Sequence, residues 1–366
     1  MGATHVLRLR TKGRAGLVGV ALAIAGCAAP AASTAPASAP ATGSSQPAGA
    51  SAPAASASAS AKTLELAYLS FAVANSYDAP MLAAAQAAAA AGNARLTVFD
   101  GNLTPATQTK QLQDAVASGK FDGIVLQPIY GAGLVADATA AIKAGIAVGN
   151  IDQILGADNT TAKAQIDGLK ANVVFVPSEL GRKIGELVVK ACGDKQANPC
   201  NVGYIYSVKA AALDGSLRTA FDKAIAANPN IKVVAEGESF YTTALGLKAS
   251  QDMLAAHPDL TVITGADQAI TGAVQAVAAA NAKDKVALVG YGGGAVAFQG
   301  IASGERYGTV MQAPTTEGLL GVQQLIAAIR SGTPAPGVDV LANLPDGGVA
   351  TKANVATFLP LAEWPG

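Results

Sequence analysis

The sequence contains few of the residues that most often carry catalysis or bind metals. There are three cysteines and two histidines among 366 residues. His5 lies in a basic N-terminal segment and His257 stands alone in "AAHPD", so we expect no histidine-based catalysis. Cys192 and Cys200 have no histidines near them and are too few to form a zinc site. We therefore predict no catalytic residue, no metal site and no cofactor.

An excess of charge of one sign and a long apolar run are also missing. The 25 basic residues balance the 25 acidic residues, so we expect no affinity for the phosphates of nucleic acids. The apolar run at residues 15–26, "AGLVGVALAIAG", is too short to cross a bilayer core of about 30 Å. It follows a basic segment and is typical of the core of a signal peptide, with the basic residues Arg8, Arg10, Lys12 and Arg14.

The apolar run ends in "LAIAGC", where small residues precede Cys27. This pattern resembles a bacterial lipobox, in which the cysteine is lipidated and becomes the first residue of the mature protein. We predict a lipoprotein signal peptide at residues 1–26 and an exported protein that is lipid-anchored through Cys27 to the extracytoplasmic or periplasmic face of a membrane. The alternative is an ordinary signal peptide that is cut elsewhere, with Cys27 incidental.

Residues 28–61 are rich in Ala, Ser and Pro and contain no charged or aromatic residue. A segment of this composition cannot bury enough apolar surface to offset the entropy of ordering. We predict that residues 27–62, including the lipidated cysteine, form a disordered tether. The two remaining cysteines, Cys192 and Cys200, bracket the short polar segment "GDKQANP", and outside the cytosol they most simply form a disulfide.

The rest of the chain is long enough for two domains. Short apolar runs such as "LELAYLS", "DGIVLQP", "LTVITG" and "VALVGYG" alternate with helical patterns such as "SELGRKIGELVVKACG". This rhythm predicts parallel sheets with helices on both faces. We predict an α/β fold of two similar doubly wound lobes joined by a hinge. One lobe is formed by residues 63–176 with about 313–338, and the other by residues 177–312 with about 339–366.

Polar and aromatic residues follow the predicted strands. Ligands of open α/β sheets bind at the carboxyl ends of the strands, and aromatic faces with amide and carboxylate partners suit a small ring that carries hydroxyls. The predicted ligand-binding residues are Asn75, Tyr77, Tyr130, Asp152, Gln153, Tyr241, Asp267, Tyr291 and Gln312. Asp267 also opens a predicted helix and is equally compatible with the role of an N-cap.

The stretch "VALVGYGGGAVA" has the G-x-G-x-x-A spacing of a dinucleotide-binding turn after a predicted strand. A nucleotide-dependent enzyme is therefore an alternative. The next strand ends in Gln312 and not in an acidic residue that could bind a ribose, which disfavours this alternative.

Several segments together resemble the periplasmic solute-binding proteins of the ribose and galactose type, which deliver sugars to ABC importers. They include "NSYDAPMLAAAQAAA", "GIAVGNIDQ", "LAAHPDLTVITGADQAITGAVQAV", "VALVGYGGG" and "YGTVMQAP". The resemblance covers the chain from about residue 63. It implies the type I fold of that family, an ABC permease as partner, a monomer, and a ring-stacking role for Tyr291, whose truncation should weaken binding and leave folding largely intact.

The chain departs from the family pattern at several ligand-binding positions. Gln153 replaces an arginine, Ala266 an asparagine and Gly292 an aspartate, and a second arginine has no clear match in "AALDGSLRTAF". We therefore expect a cavity that is less polar than in the family, which weakens the case for an ordinary sugar. From the strand-end aromatic and polar residues, we predict a small polar, cyclic ligand such as a sugar or polyol. A ligand-sensing subunit that presents its bound state to a membrane receptor needs the same cleft and is an alternative to import.

Overall fold

The computed structural model describes residues 62–366. The predicted signal peptide, Cys27 and the predicted tether up to residue 61 lie outside the described residues. Within residues 62–366, no helix is both long enough and apolar enough to cross a membrane.

The first lobe contains a six-stranded sheet in which every neighbouring pair of strands is parallel. Its strand order is β11-β5-β4-β3-β1-β2. The strands are β1 (Leu64–Ser70), β2 (Ala94–Asp100), β3 (Gly123–Leu126), β4 (Ala147–Asp152), β5 (Ala171–Val174) and β11 (Val338–Asp339). The helices α1 (Asp78–Ala91), α2 (Pro105–Ser118) and α3 (Gly131–Lys143) connect successive strands.

The second lobe repeats this arrangement in the order β12-β10-β9-β8-β6-β7. Its strands are β6 (Cys200–Tyr206), β7 (Ile231–Glu238), β8 (Leu260–Ala266), β9 (Ala287–Gly292), β10 (Gly308–Met311) and the antiparallel β12 (Val349–Thr351). The helices in this part of the chain are α4 (Pro177–Asp194), α5 (Ala212–Ile225), α6 (Thr243–Ala256), α7 (Asp267–Ala279), α8 (Ala295–Ser303), α9 (Pro314–Ser331) and α10 (Val355–Phe358). Two short 3₁₀ helices lie at Pro345–Gly348 and Leu359–Leu361. The predicted fold of two doubly wound α/β lobes is confirmed.

Strand β1 shows why both faces of the first sheet are covered. Leu66 and Tyr68 pack with Met81 of α1, whereas Ala67 and Leu69 pack in a separate apolar cluster with α2 and α3. Because successive side chains of a strand point to opposite faces, a strand with apolar side chains on both faces requires helices on both sides.

Helix α9 follows the last parallel strand of the second lobe but packs on the first lobe, against α1. A Cβ atom added to Gly318 would lie 2.1 Å from the backbone oxygen of Met81, so the two helices can approach this closely only with glycine there. Strand β11 then pairs with β5 in the first sheet. The exact lobe boundaries stay predictions.

The end of α4 is linked to the start of β6 by a disulfide between Cys192 and Cys200, whose Cα atoms are 5.8 Å apart. The predicted disulfide is confirmed. Both cysteines are buried in the apolar core of the second lobe.

Candidate functional site

A cavity lies between the lobes where the strands of both sheets end. The space between its lining residues is about 460 Å³, counting the part that is open to solvent. In each lobe the strand order 2-1-3-4-5 places a change of direction beside the first strand, and ligands of such sheets bind outside the strand ends at this point. The predicted residues that line the cavity are Asn75, Tyr77, Asp152, Gln153, Tyr241, Tyr291 and Gln312.

Two predicted residues do not line this cavity. Tyr130 precedes the first residue of α3, is 47% exposed, and its ring lies over Gly133 in the first turn of that helix. The neighbouring Ile129 is buried instead and packs in a small apolar cluster with Phe71. Because the chain turns outward between these two positions, the polar ring goes to the surface and the apolar side chain goes inside.

Asp267 is buried beneath the cavity wall and has a structural role. Its carboxylate accepts hydrogen bonds from the backbone N–H of Gly293 (2.6 Å), the hydroxyl of Thr309 (2.9 Å) and the guanidinium of Arg306 (3.1 Å). Ala266, and not Asp267, is the N-cap of α7, so the alternative role as an N-cap is wrong. Asp267 anchors the glycine turn after β9 and does not face the cavity.

The ring of Tyr291 lines the cavity and also packs in the core of the second lobe. Its side chain is 5% exposed and its hydroxyl lies 2.6 Å from the hydroxyl of Ser207. Gly292 follows with φ 131° and Gly293 with φ 72°, conformations in which side chains are strained. The glycines of "VGYGGG" therefore form the turn from β9 toward α8.

Two segments of the lining have backbone conformations that residues with side chains rarely adopt. Asp152 has φ 67°, and Phe240 and Tyr241 have φ 47° and 55°. Such strain persists only where the surrounding structure enforces it, and it is concentrated at functional sites. Here it directs Tyr241 into the cavity while Phe240 stays 45% exposed.

The first-lobe wall contains a connected group of buried carboxyl side chains. Gln127 donates through Nε2 to Oδ1 of Asp78 and to Oδ2 of Asp152 (3.1 Å). The hydroxyl of Tyr77 lies 3.5 Å from Oδ1 of Asp152 and 3.3 Å from Oε2 of Glu317. Asp78 comes from α1, Asp152 from the end of β4 and Glu317 from the first turn of α9. The close packing of α9 on α1 therefore completes this carboxyl cluster of three side chains.

Burial governs the acidity of these carboxyls. It raises the pKa of Asp152 to about 6, and it raises the pKa values of Asp78 and Glu317 well above the usual range. The charge of Asp152 raises both of those values further. In the described part of the chain, no group of three or more His, Cys, Asp or Glu side chains is arranged to bind a metal ion.

Three lining residues whose side chains can form hydrogen bonds were missed from the sequence. Asp78 and Gln268 each directly follow a predicted residue, and the phase of the helix that begins there turns the second residue toward the cavity. Trp364 comes from the C-terminal segment "LAEWPG", and its indole N–H donates to the backbone oxygen of Gly292 at 3.0 Å. Its ring meets that of Tyr77 edge to face, with centroids 5.6 Å apart.

Two α/β lobes that enclose a cavity of aromatic, amide and carboxyl side chains define a ligand-binding protein. A family profile described as the periplasmic binding protein domain matches residues 66–333. The chain belongs to this family, and the resemblance noted from the sequence is confirmed.

Curated relatives and solved structures agree with this assignment. The chain is 26% identical over 227 residues to the D-allose-binding periplasmic protein of Escherichia coli, an alignment that covers 62% of this chain and 71% of the relative. It is 28% identical over 229 residues to a D-ribose/D-allose-binding protein of Pseudomonas aeruginosa, covering 62% and 69%. A solute-binding protein of an ABC transporter from Mycobacterium smegmatis with bound glycerol superposes with a TM-score of 0.69 at 25% identity, covering 83% of this chain and 100% of that chain.

A more distant structure shares the fold alone. The Caulobacter myo-inositol-binding protein, bound to myo-inositol, superposes with a TM-score of 0.69 at 21% identity, covering 81% of this chain and 96% of that chain.

Proposed function

We propose that this protein is an extracytoplasmic solute-binding protein that captures a small sugar or polyol for an ABC importer, and that it is not an enzyme. The observation that carries the proposal is the cavity between the lobes, where aromatic rings from both lobes face carboxyl and amide groups. Ring C–H groups pack against aromatic faces, while hydroxyls need both donors and acceptors. Tyr77 and Trp364 supply rings, and Asn75, Gln268 and Gln312 supply amides.

Binding and lobe closure are sufficient for this function. Within the described residues, the cavity lining contains no His, Cys, Ser, Thr, Lys or Arg side chain, so it has no Ser–His or Cys–His pair of nucleophile and base. Closure of two lobes about a ligand is a common motion of two-domain proteins. The names of the relatives support sugars and polyols as the ligand class.

A thermal-shift panel tests the proposal. The purified mature domain is heated with D-allose, D-ribose, myo-inositol, glycerol, D-galactose and L-arabinose in turn. A ligand present at about 100 times its Kd should stabilise the folded state by about 2.7 kcal/mol, and a Gln312→Ala variant should show a smaller shift. A folded protein whose melting temperature does not change with any member of the panel would contradict the proposal.

We also propose that the protein is held at the membrane by a lipid on Cys27. The support comes from the sequence: the apolar run ends in "LAIAGC" and the following tether has no other attachment feature. Cys27→Ser should move the protein from the membrane fraction to the soluble fraction, because the lipid on Cys27 supplies the binding energy. Ser33→Ala is the matched control and should stay on the membrane. Membrane retention of the Cys27→Ser variant would refute the anchor.

A further inference from the structure

The carboxyl cluster of the first-lobe wall has no basic partner. Asp78, Asp152 and Glu317 are all buried, and within the described residues the cavity lining contains no lysine, arginine or histidine. The same molecule treats another buried carboxylate differently, since Asp267 is paired with Arg306 at 3.1 Å. Buried ionised carboxylates are costly unless a cation accompanies them. The wall is thus short of positive charge on the side that faces the ligand.

A second observation indicates that the missing partner is a ligand. The amide side chains of Gln268 and Gln312 line the cavity, are each only 6% exposed, and have no hydrogen-bond partner among the described residues. Buried polar groups are rarely left without partners in native proteins. The free groups therefore indicate a polar ligand that supplies hydrogen bonds in the cavity.

The geometry shows which carboxyl oxygens are free. Gln127 occupies Oδ1 of Asp78 and Oδ2 of Asp152. Oδ2 of Asp78 accepts no hydrogen bond from the described residues. Asp152 is also hydrogen-bonded to the side chains of Glu317 and Gln153 and lies 3.5 Å from the Tyr77 hydroxyl. An ammonium group has three N–H donors and a full positive charge, so it can donate to the free Oδ2 of Asp78, add a charge-assisted hydrogen bond to Asp152 and neutralise the two carboxylates.

We propose that the cavity selects an aminated ring polyol, either an amino sugar or an aminocyclitol, and that its protonated amine binds Asp78 and Asp152. This inference rests on the proposed function and specifies the ligand class of the same cavity. The rings of Tyr77 and Trp364 lie beside these carboxyls and add cation–π attraction. The amides of Gln268 and Gln312 bind the hydroxyls on the other side of the ring.

Binding of the ammonium is linked to proton release. The charges of Asp100 beside Asp78 and of Glu363 beside Glu317 disfavour ionisation of the carboxyl cluster. Hydrogen bonds donated by Gln127 and by the Tyr77 hydroxyl favour the ionised forms. When the ammonium arrives, its N–H bonds stay intact and each carboxyl that ionises releases one proton to solvent. Affinity for the amine should therefore fall as the pH is lowered, because protons compete for the same oxygens.

Titration calorimetry on matched pairs of probes tests the inference. The pairs are D-glucosamine with D-glucose, D-galactosamine with D-galactose, D-mannosamine with D-mannose, and 2-deoxystreptamine with myo-inositol. In at least one pair the amine should bind about tenfold tighter or better at about pH 7. Its affinity should weaken toward about pH 5, and its binding heat should depend on the ionisation enthalpy of the buffer because protons are released.

Two variants separate a charge effect from general damage to the site. Asp78→Asn keeps the shape of the side chain and should lower the affinity for the amine by a larger factor than the affinity for its neutral partner. Gln312→Ala should weaken both members of a pair by similar factors. The inference is overturned, and the proposed function kept, if neutral sugars or polyols bind and the amine is never preferred. If no probe of either kind binds to folded protein, both the inference and the proposed function are contradicted.

Discussion

Arg306→Met is expected to lower the free energy of unfolding by about 3–5 kcal/mol, because it leaves Asp267 as a buried carboxylate without a cation. The Arg306 guanidinium also donates to the hydroxyl of Thr271 at 2.7 Å, so α7 loses a second contact. Asp267 in turn fixes the turn after β9 through the N–H of Gly293. Chemical denaturation monitored by circular dichroism measures the loss.

Two further variants test whether the unpaired carboxylate of Asp267 causes that loss of stability. Arg306→Met combined with Asp267→Asn removes both charges and should recover part of the stability, because no uncompensated carboxylate remains. Arg95→Met breaks the ion pair with Glu65, in which the Arg95 side chain is 75% exposed. It should lower the free energy of unfolding by less than about 1 kcal/mol. If Arg306→Met were as mild as Arg95→Met, the buried pair would not support the cavity wall.

The fold was predictable because its main signal is periodic. Apolar runs of strand length that are buried on both faces, separated by helical patterns, leave few arrangements other than parallel sheets covered on both sides. The strand-end rule then placed Tyr77, Asp152, Tyr291 and Gln312 at one cavity, since the carboxyl ends of parallel strands share one edge of each sheet. These are consequences of backbone geometry, and they depend little on side-chain detail.

The remaining parts of the site depend on features that periodicity does not contain. Tyr130 and Ile129 are neighbours after the same strand, and only the turn into α3 decides which of them faces inward. Glu317 reaches the carboxyl cluster because Gly318 lets α9 approach α1. This is a contact between segments that are far apart in the chain. Trp364 arrives through backbone pairing of the C-terminal segment with the start of α8. No local pattern indicates such contacts.

Tyr291→Ala is expected to lower both ligand affinity and stability, which revises the sequence-based expectation that folding would stay largely intact. Truncation of a buried aromatic ring costs about 3–5 kcal/mol of unfolding free energy, and Tyr291 is 5% exposed within the core of the second lobe. Loss of the ring from the cavity wall should weaken binding by about 1–3 kcal/mol. Denaturation curves measure the first effect, and calorimetry on the folded fraction measures the second.

Two matched variants assign these effects to the parts of the side chain. Tyr291→Phe keeps the ring and removes only the hydroxyl that contacts Ser207, so it should cost about 1–3 kcal/mol of stability with a smaller change in affinity. Tyr204→Ala truncates a tyrosine of the same core that is 3% exposed and does not line the cavity. It should destabilise the protein about as much as Tyr291→Ala while leaving the affinity of folded molecules unchanged. Equal affinities for Tyr204→Ala and Tyr291→Ala would show that the Tyr291 ring serves the core and makes no contact with the ligand.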